Sequence, residues 1–466
     1  MKLGDRGWSA ALSPEFALLA LLFLALLFMG GASRGDVQSL VVLRPLFALG
    51  LGTALLLIPR ESFRNLRFSI CFMIALAMLP LLHLVPLPPA LWQSLPGREL
   101  EREVLMVVGA QDSWQPLSLA PARTWNALFS LLIPATMLLL SASLTKMRLS
   151  HVLALLIALG LISGIFGLLQ AASPGSDYLY LYRIRNSGQA VGLFANRNHQ
   201  AVLLACMLPI LATFASLPAA SRIAARMRMA LCVSAGAFIV ALLLVTGSRA
   251  GLLVGLIGLL SSLWLYRPAE VPAPAKRSGR RMSVQTKTLI GVGLCLLVVC
   301  LTYFSSRAQA IDRLISHGAA GELRFRVWGS VVDMAKAYFP VGSGVSAFIE
   351  AYQVNEPAGL ARLTYLNNAH NDWLELIATS GAPAIAFMLV AVVAWVKAAW
   401  LLARPPRLKG ELGLAGRLGL VVILIIAVAS VFDYPLRVPT LAGFFAFCAG
   451  AVEQASRKAS RWRGET

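Results

Sequence analysis

Three features of the sequence predict an all-α, polytopic integral membrane protein. Of the 466 residues, 58% are hydrophobic and only 13% are charged, against about 25% charged residues in an average soluble domain. The mean hydropathy is +0.74. Apolar runs of roughly 20 residues, long enough to cross a bilayer core of about 30 Å as a helix, recur along the whole chain. Together these features exclude a soluble globular protein.

Twelve apolar runs predict about 12 transmembrane helices. The seventh and eighth runs are separate helices, because about 38 residues of continuous helix would span roughly 57 Å, nearly twice the core. The chain must therefore turn near residues 247–251. The first run could be a cleaved signal peptide, but its long leader carries Asp5 and Glu15, which favours an anchor. The twelve runs are 16–33, 40–58, 68–87, 124–144, 150–171, 197–216, 229–247, 250–266, 288–306, 377–402, 416–433 and 438–454.

The Lys and Arg residues in the connections predict the orientation in the membrane. If the N-terminus is cytoplasmic, the cytoplasmic segments hold about +17 of the formal charge of +20, as the positive-inside rule requires. Both termini then face the cytoplasm. The positive charge is explained by this orientation and by anionic membrane lipids as partners. It implies no nucleic-acid partner.

The chain divides into three regions. Residues 1–185 hold the first five spans and an outer loop, 88–123, whose Pro-rich start predicts a structured cap. Residues 186–454 hold the remaining spans and a large outer loop, 307–370, predicted to contain short helices. Long loops tend to carry function. Residues 455–466 form a basic cytoplasmic tail.

All six cysteines lie inside apolar runs, and none lies in a polar connection where a disulfide would be expected. We therefore expect them to be buried small hydrophobic residues. They are Cys71, Cys206, Cys232, Cys295, Cys300 and Cys448.

Four polar clusters on the outer side are not explained by the predicted spans or by their orientation. Ionisable groups near membrane depth are often functional. In the first, 192–199, two Asn residues flank Arg197 and could simply cap a helix start. The second is Ser248 and Arg249 in the tight turn between spans seven and eight. The Arg249 guanidinium could reach the lipid head groups or point into a cleft, where it would match phosphate oxygens.

The third cluster, 322–328, has helical periodicity. Arg324 and Trp328 share a helix face and Arg326 lies about 200° away, so at most one of these arginines faces a given site. The turn that follows at 341–344 could cradle an anion.

The fourth cluster, 368–375, contains His370, Asp372 and Glu375. On one helix the two carboxylates lie about 200° and 140° round from the histidine, so the three cannot bind one metal ion. A neutral imidazole at an aqueous cleft suits proton removal from a hydroxyl, although it could also be a polar residue at a helix start.

At these clusters the sequence resembles the O-antigen ligase and polymerase family of bacterial envelope glycosyltransferases. The matching pieces lie in order on the same predicted side of the membrane. They are GLFANRNHQ (192–200), TGSRAG (246–251), Arg324 with Trp328, PVGSGVSAF (340–348) and AHNDWLELIATSG (369–381). Two further pieces, PLPPALWQSLPGRE (86–99) and FDYPLRVPTLAGFFAF (432–447), are more similar to the exopolysaccharide polymerases.

The resemblance implies transfer of a glycan from a polyprenyl diphosphate lipid to an acceptor hydroxyl, on the periplasmic face of the bacterial inner membrane. The acceptor is a lipid A core sugar in ligases and another lipid-linked chain in polymerases. The family is metal-independent and inverting, and the resemblance implies no cofactor. By motif, its catalytic histidine corresponds to His370 and its diphosphate-binding arginines to Arg249 and Arg324, with Arg326 an alternative to Arg324.

Elementary chemistry agrees with these roles. A leaving diphosphate develops negative charge, the chain has no Asp-x-Asp pair, and preorganised arginines can stabilise that charge instead. We expect supporting roles for Arg197 and Ser248, and for Asn371 or Asp372 in placing the imidazole or the acceptor.

We favour a polymerase over a ligase because of the two polymerase-like pieces. The alternatives from other classes are a multi-span transporter or lipid flippase, and an envelope scaffold with a degenerate site. A transporter of the common twelve-span type would show two similar halves and polar sites at the bilayer midplane. Here the halves look dissimilar and the polar residues gather at the outer face.

Overall fold

The computed structural model describes residues 13–173, 175–271, 319–360, 365–405 and 408–464. Almost all of the regular structure in these residues is helical. In the first half of the chain the helices are α1 (Pro14–Met29), α2 (Leu40–Leu57), α3 (Arg60–Phe63), α4 (Arg67–Leu84), α5 (Pro89–Trp92), α6 (Glu99–Val107), α7 (Pro121–Ser130), α8 (Leu132–Ser141), α9 (Leu149–Ala172), α10 (Arg197–Ala215) and α11 (Arg222–Val245). In the second half they are α12 (Arg249–Leu265), α13 (Ala319–Ala337), α14 (Phe348–Asn355), α15 (Asp372–Ala403), α16 (Glu411–Ala429) and α17 (Pro439–Arg463).

The structure confirms an all-α polytopic membrane protein. Counting α3–α4 and α7–α8 as continuous, 8 described helices are long and apolar enough to cross a bilayer, and α1 and α12 are shorter apolar helices. The last predicted run, 438–454, lies in α17, which continues into a polar second half. The run 288–306 lies outside the described residues, so the count of 12 spans stays a prediction.

The chain turns between α11 and α12 at residues 246–248, as the length argument requires. Helix α10 lies among α9, α11, α12 and α16. Small residues let α10 and α12 approach closely: a Cβ added at Gly258 would lie 2.5 Å from the Ala205 carbonyl oxygen, and one at Gly251 would lie 2.4 Å from the Ala201 Cβ. Such small-residue contacts are typical of membrane helices, and here they bring the starts of α10 and α12 together.

The outer loop 88–123 is a structured cap, as its Pro-rich start predicts. It contains α5, α6 and a two-residue antiparallel pair, β1 (Pro86–Leu87) with β2 (Gln115–Pro116), which the all-α prediction did not include. Two buried side chains hold it: Trp92 donates to the Ser113 carbonyl at 3.0 Å, and Arg98 pairs with Glu101 at 2.5 Å.

Two expectations from the sequence are wrong in part. The second outer loop does not hold only short helices, because α13 has 19 residues. Among the described cysteines, Cys206, Cys232 and Cys448 are buried, whereas Cys71 is exposed on α4. An apolar run marks a membrane helix but does not show which of its faces meets protein and which meets lipid.

Helix α15 bends at Gly381, which has φ 59° and ψ −139°. A Cβ there would lie 2.0 Å from the Pro340 carbonyl oxygen, so only glycine allows this approach. Ala382 N–H donates to that same oxygen at 2.8 Å. The bend thus docks the 340–344 turn against α15, below the segment that carries His370.

Candidate active site

His370 lies just before α15, and its backbone is fixed from both sides. It has φ 52°, an uncommon value for a non-glycine residue. The preceding residue, Ala369, donates its N–H to Glu375 Oε2 at 2.8 Å and accepts at its carbonyl from Trp328 Nε1 at 3.0 Å. Asn371 caps α15 by accepting from Leu374 N–H at 3.0 Å. The imidazole is therefore held outside the helix rather than along its side.

The partner of this imidazole is Asp433, in the connection that follows α16. His370 Nδ1 lies 3.2 Å from Asp433 Oδ1, and the His370 side chain is 30% exposed whereas Asp433 is 3% exposed. The other carboxylate oxygen, Oδ2, accepts from Asn198 Nδ2 at 2.5 Å and from Asn196 Nδ2 at 3.3 Å. Asp433 thus joins the fourth polar cluster of the sequence to the first.

These contacts fix the protonation of the pair. Burial alone would raise the pKa of Asp433, but the hydrogen bonds from His370 and Asn198, together with the nearby imidazoles, hold its pKa well below the usual range. An ionised carboxylate only accepts hydrogen bonds, so the His370 Nδ1 must carry the proton that it donates. In the neutral ring Nε2 then carries the lone pair, which is the arrangement of a general base.

The second polar cluster joins the same network. Ser248 Oγ donates to Asn198 Oδ1 at 2.8 Å and, as the cap of α12, accepts from Gly251 N–H at 2.9 Å. Asn196 caps α10, accepting from Asn198 N–H at 2.9 Å. The helix-capping interpretation of the first cluster is therefore right, and its amide side chains also bind Asp433.

Two predicted arginines lie at the junction where the starts of α10 and α12 meet. Arg249 is the first residue of α12 and is exposed. Arg197 is the first residue of α10, and its Nη1 lies 3.5 Å from where a Cβ on Gly247 would be. The turn that carries Arg249 therefore runs past the Arg197 guanidinium.

A second buried ion cluster lies beside the histidine. Arg437 Nε lies 3.1 Å from Asp372 Oδ1, and its Nη2 lies 3.0 Å from Glu375 Oε1. Burial alone would lower the pKa of Arg437, but the two carboxylates raise it above its ordinary value. In the described contacts Asp372 thus binds Arg437, and the carboxylate on the imidazole is Asp433. The Arg437 cluster ties the start of α15 to the turn before α17.

Tyr434 packs between two histidine rings. Its ring centroid lies 5.1 Å from that of His370 and 5.2 Å from that of His199. His199 is buried, with Nε2 4.0 Å from Asp433 Oδ2. The aromatic ring fills the space between the imidazoles and limits the positions that His370 can adopt.

The third cluster is described only in part. Arg324 lies in α13, one turn before Trp328, and its side chain is outside the described residues, whereas Arg326 is exposed. The Trp328 contact to the Ala369 carbonyl places that face of α13 against the His370 segment.

The anion-cradle interpretation of the 341–344 turn is wrong. The N–H groups of Gly342, Ser343 and Gly344 donate to carbonyl oxygens of Tyr338, Ala378 and Thr379. The next N–H, of Val345, donates to His83 Nδ1 at 3.0 Å. The turn uses these donors to join α13, α15 and α4, so they are not available to a ligand.

Sequence reasoning missed Asp433 and Arg437 as site residues. Both lie in the FDYPLR segment, which was noted only for its similarity to polymerases. The available signal was a pair of charges where two apolar runs meet, Asp433 at the end of the run 416–433 and Arg437 just before the run 438–454. Among the residues that the structure describes, no group of three His, Cys, Asp or Glu side chains is arranged to hold a metal ion.

Comparison with known protein families bears on this site. Residues 234–389 match a family model described as O-antigen ligase. This stretch contains Ser248, Arg249, Arg324 and His370, but neither the Asn196–Asn198 pair nor Asp433. No curated protein matches the chain significantly.

Proposed function

We propose that the chain is a membrane glycosyltransferase of the O-antigen ligase and polymerase family, a proposal that the O-antigen ligase match of residues 234–389 supports. Its donor is a polyprenyl diphosphate-linked glycan and its acceptor is a sugar hydroxyl. The reaction takes place at the periplasmic face of the bacterial inner membrane, where the His370 site lies in the predicted orientation. The observation that carries the proposal is the His370–Asp433 pair at the start of α15.

In this reaction His370 Nε2 takes the proton of the acceptor hydroxyl as its oxygen attacks the anomeric carbon of the donor. The bond from that carbon to the diphosphate oxygen breaks, and its electron pair leaves with the diphosphate. Attack from the face opposite the diphosphate inverts the anomeric centre. Asp433 orients the ring through Nδ1 and stabilises the imidazolium that forms, which is the role of a carboxylate behind a general base.

Arginine side chains neutralise the leaving diphosphate. Arg249 and Arg324 are the assigned pair, and Arg197 supports them from the start of α10. Guanidinium groups present paired N–H donors that match phosphate oxygens. The described carboxylates near His370 already have partners, Asp433 in the imidazole network and Asp372 with Glu375 at Arg437. The counter-charge for a diphosphate is therefore assigned to arginine.

The test is transfer in proteoliposomes that contain the full chain, a polyprenyl diphosphate-linked glycan from the native strain and a chelator. We expect His370→Ala, Arg249→Ala and Arg324→Ala to lose transfer, and Arg326→Ala to keep it. The last variant removes the same charge from the same helix as Arg324→Ala, so the pair of variants tests Arg324 against its alternative, Arg326. Full transfer by the His370 and Arg249 variants would refute the mechanism.

We favour polymerase over ligase activity. The FDYPLR segment, which is polymerase-like in sequence, supplies both Asp433 and Arg437 to the network around His370. The discriminating measurement is the polysaccharide made by a deletion strain. Single repeats left on the carrier lipid indicate lost polymerisation, whereas long chains not attached to lipid A core indicate a ligase.

A further inference from the structure

A polar pocket of 280 Å³ lies at the end of the helix bundle opposite His370. Helix α17 connects the two places. It begins at Pro439, directly after the turn that carries Asp433 and Arg437, and reaches the pocket at Arg461. At 1.5 Å per residue these two ends are about 33 Å apart. The pocket is therefore separate from the proposed active site.

One wall of the pocket is a basic face of α17. Gln454, Lys458 and Arg461 follow each other at helical spacing, so they share one side of the helix. Among the residues that the structure describes, neither Lys458 nor Arg461 lies within 4.0 Å of a carboxylate, whereas their neighbour Arg457 pairs with Glu453 at 2.9 Å. Two like charges one turn apart repel each other, and an anion between them would relieve this.

The opposite wall supplies neutral hydrogen-bonding groups. They are two hydroxyls and an amide, namely Ser62 in α3, Asn65 between α3 and α4, and Thr145 in the turn after α8. Gln454 at the base is fixed, since its Nε2 donates to the Ser141 carbonyl at 2.8 Å. Two cations with hydroxyl and amide donors around them match the several acceptor oxygens of a phosphate group.

The surroundings of the pocket indicate a lipid rather than a soluble anion. Trp462, next to Arg461, is 57% exposed, and Phe68, at the start of α4, is 43% exposed. The Phe68 N–H donates to Glu453 Oε1 at 3.0 Å, so the start of α4 contacts α17 next to the pocket residue Gln454. Exposed aromatic side chains at the ends of membrane helices mark the membrane–water interface, which is where phosphodiester head groups lie.

We propose that this pocket binds the phosphodiester head group of an anionic membrane phospholipid. Lys458 and Arg461 hold the phosphate, Ser62, Asn65 and Thr145 bind its oxygens or the attached glycerol, and the acyl chains pass outward beside Phe68 and Trp462. Basic pockets between the ends of membrane helices are suited to such head groups. The proposal does not depend on the reaction at His370.

The test is native mass spectrometry of the full chain in detergent, titrated with phosphatidylglycerol and, separately, with phosphatidylcholine. The double variant Lys458→Gln/Arg461→Gln removes both cations from the pocket. Its matched control, Arg222→Gln/Arg226→Gln, removes the same charge from exposed positions in the first turns of α11. Because the changed side chains are exposed in both variants, we expect both to fold, and thermal unfolding in detergent checks this.

We expect one tightly retained phosphatidylglycerol per chain, and binding weaker by about 25-fold in the pocket variant, at roughly fivefold per basic residue. The control variant should bind as the parent does, and phosphatidylcholine should bind weakly to all three. Equal losses in the two variants would overturn the proposal, because they would show general surface attraction. Displacement of the lipid by millimolar inorganic phosphate would also overturn it, by indicating a soluble anion as the ligand.

Discussion

Replacing Asp433 with Asn is the sharpest test of the proposed base. In the folded protein Oδ1 faces His370 and Oδ2 accepts from two amide groups, those of Asn198 and Asn196. An asparagine offers one oxygen and one NH₂ group. The oxygen will face the two amide donors, because an NH₂ group placed there would meet the Asn198 Nδ2 donor at 2.5 Å. The new NH₂ group then faces the imidazole.

This arrangement reverses the histidine tautomer. With a donor facing Nδ1, that nitrogen must accept, so the proton moves to Nε2 and the base is lost. General-base catalysis contributes about 10²–10⁴ in rate, so Asp433→Asn should slow transfer by that factor, or about 3–5 kcal/mol in the barrier. Binding of the donor lipid should change little, because Asp433 is buried behind the ring.

The assay is the initial rate of glycan transfer in proteoliposomes, with thermal unfolding as a check that the variant is folded. Asp333→Asn is the matched control. Asp333 is 76% exposed and pairs with Lys336 on the surface of α13, and such pairs contribute about 0–1 kcal/mol, so its rate should stay within about twofold. If folded Asp433→Asn protein transfers glycan at more than half the parent rate, Asp433 does not orient the base and the tautomer argument is refuted.

Three further predictions concern stability, measured by unfolding in detergent. Arg437→Met leaves the buried Glu375 and the 11% exposed Asp372 without their counter-ion and should cost about 3–5 kcal/mol, whereas Arg326→Met, at an exposed position, should stay within about 0.5 kcal/mol. Gly381→Ala should cost at least about 1–3 kcal/mol, since it forces a side chain into a left-handed conformation against a carbonyl oxygen, whereas Gly329→Ala, with open space around it, should not destabilise α13. Because the folded protein lowers the pKa of Asp433, this carboxylate adds stability at any pH above its unfolded value. The stability that this carboxylate adds should therefore be lost as the pH falls below about 4, which narrows the difference between parent and Asp433→Asn there.

The sequence predicts the membrane helices well, because bilayer thickness imposes one length on each of them. It also predicts the turn at 246–248, because one longer helix would not fit the bilayer. It does not predict the bend at Gly381, since that bend depends on the Pro340 carbonyl about 40 residues earlier in the chain. Nor does it predict the β1–β2 pair, because two-residue strands have too little periodicity to be recognised.

The candidate site was predictable in its parts but not in its contacts. His370, Ser248 and the Asn-flanked Arg197 all stood out as polar groups near membrane depth. Asp433 did not, because it lies 63 residues from His370 and 235 from Asn198 along the chain and reaches them only through tertiary packing. Asp372 was the natural candidate for the imidazole partner because of its proximity in sequence. The start of α15 turns that carboxylate toward Arg437 instead.

The arrangement of helix starts favours an anion at this site over other ligands. Helices α10 and α12 begin at Arg197 and Arg249, and α15 begins one residue after Asn371. The contacts from Ser248 through the Asn198 and Asp433 side chains to His370 show that these three starts lie together. A helix N-terminus carries a partial positive charge whose effect is confined to the first turn. The partial charges of the three helix starts therefore add to the charge of the arginines only where the starts meet. In the proposed transfer, a donor lipid whose diphosphate binds there has the anomeric carbon of its glycan beside the His370 imidazole.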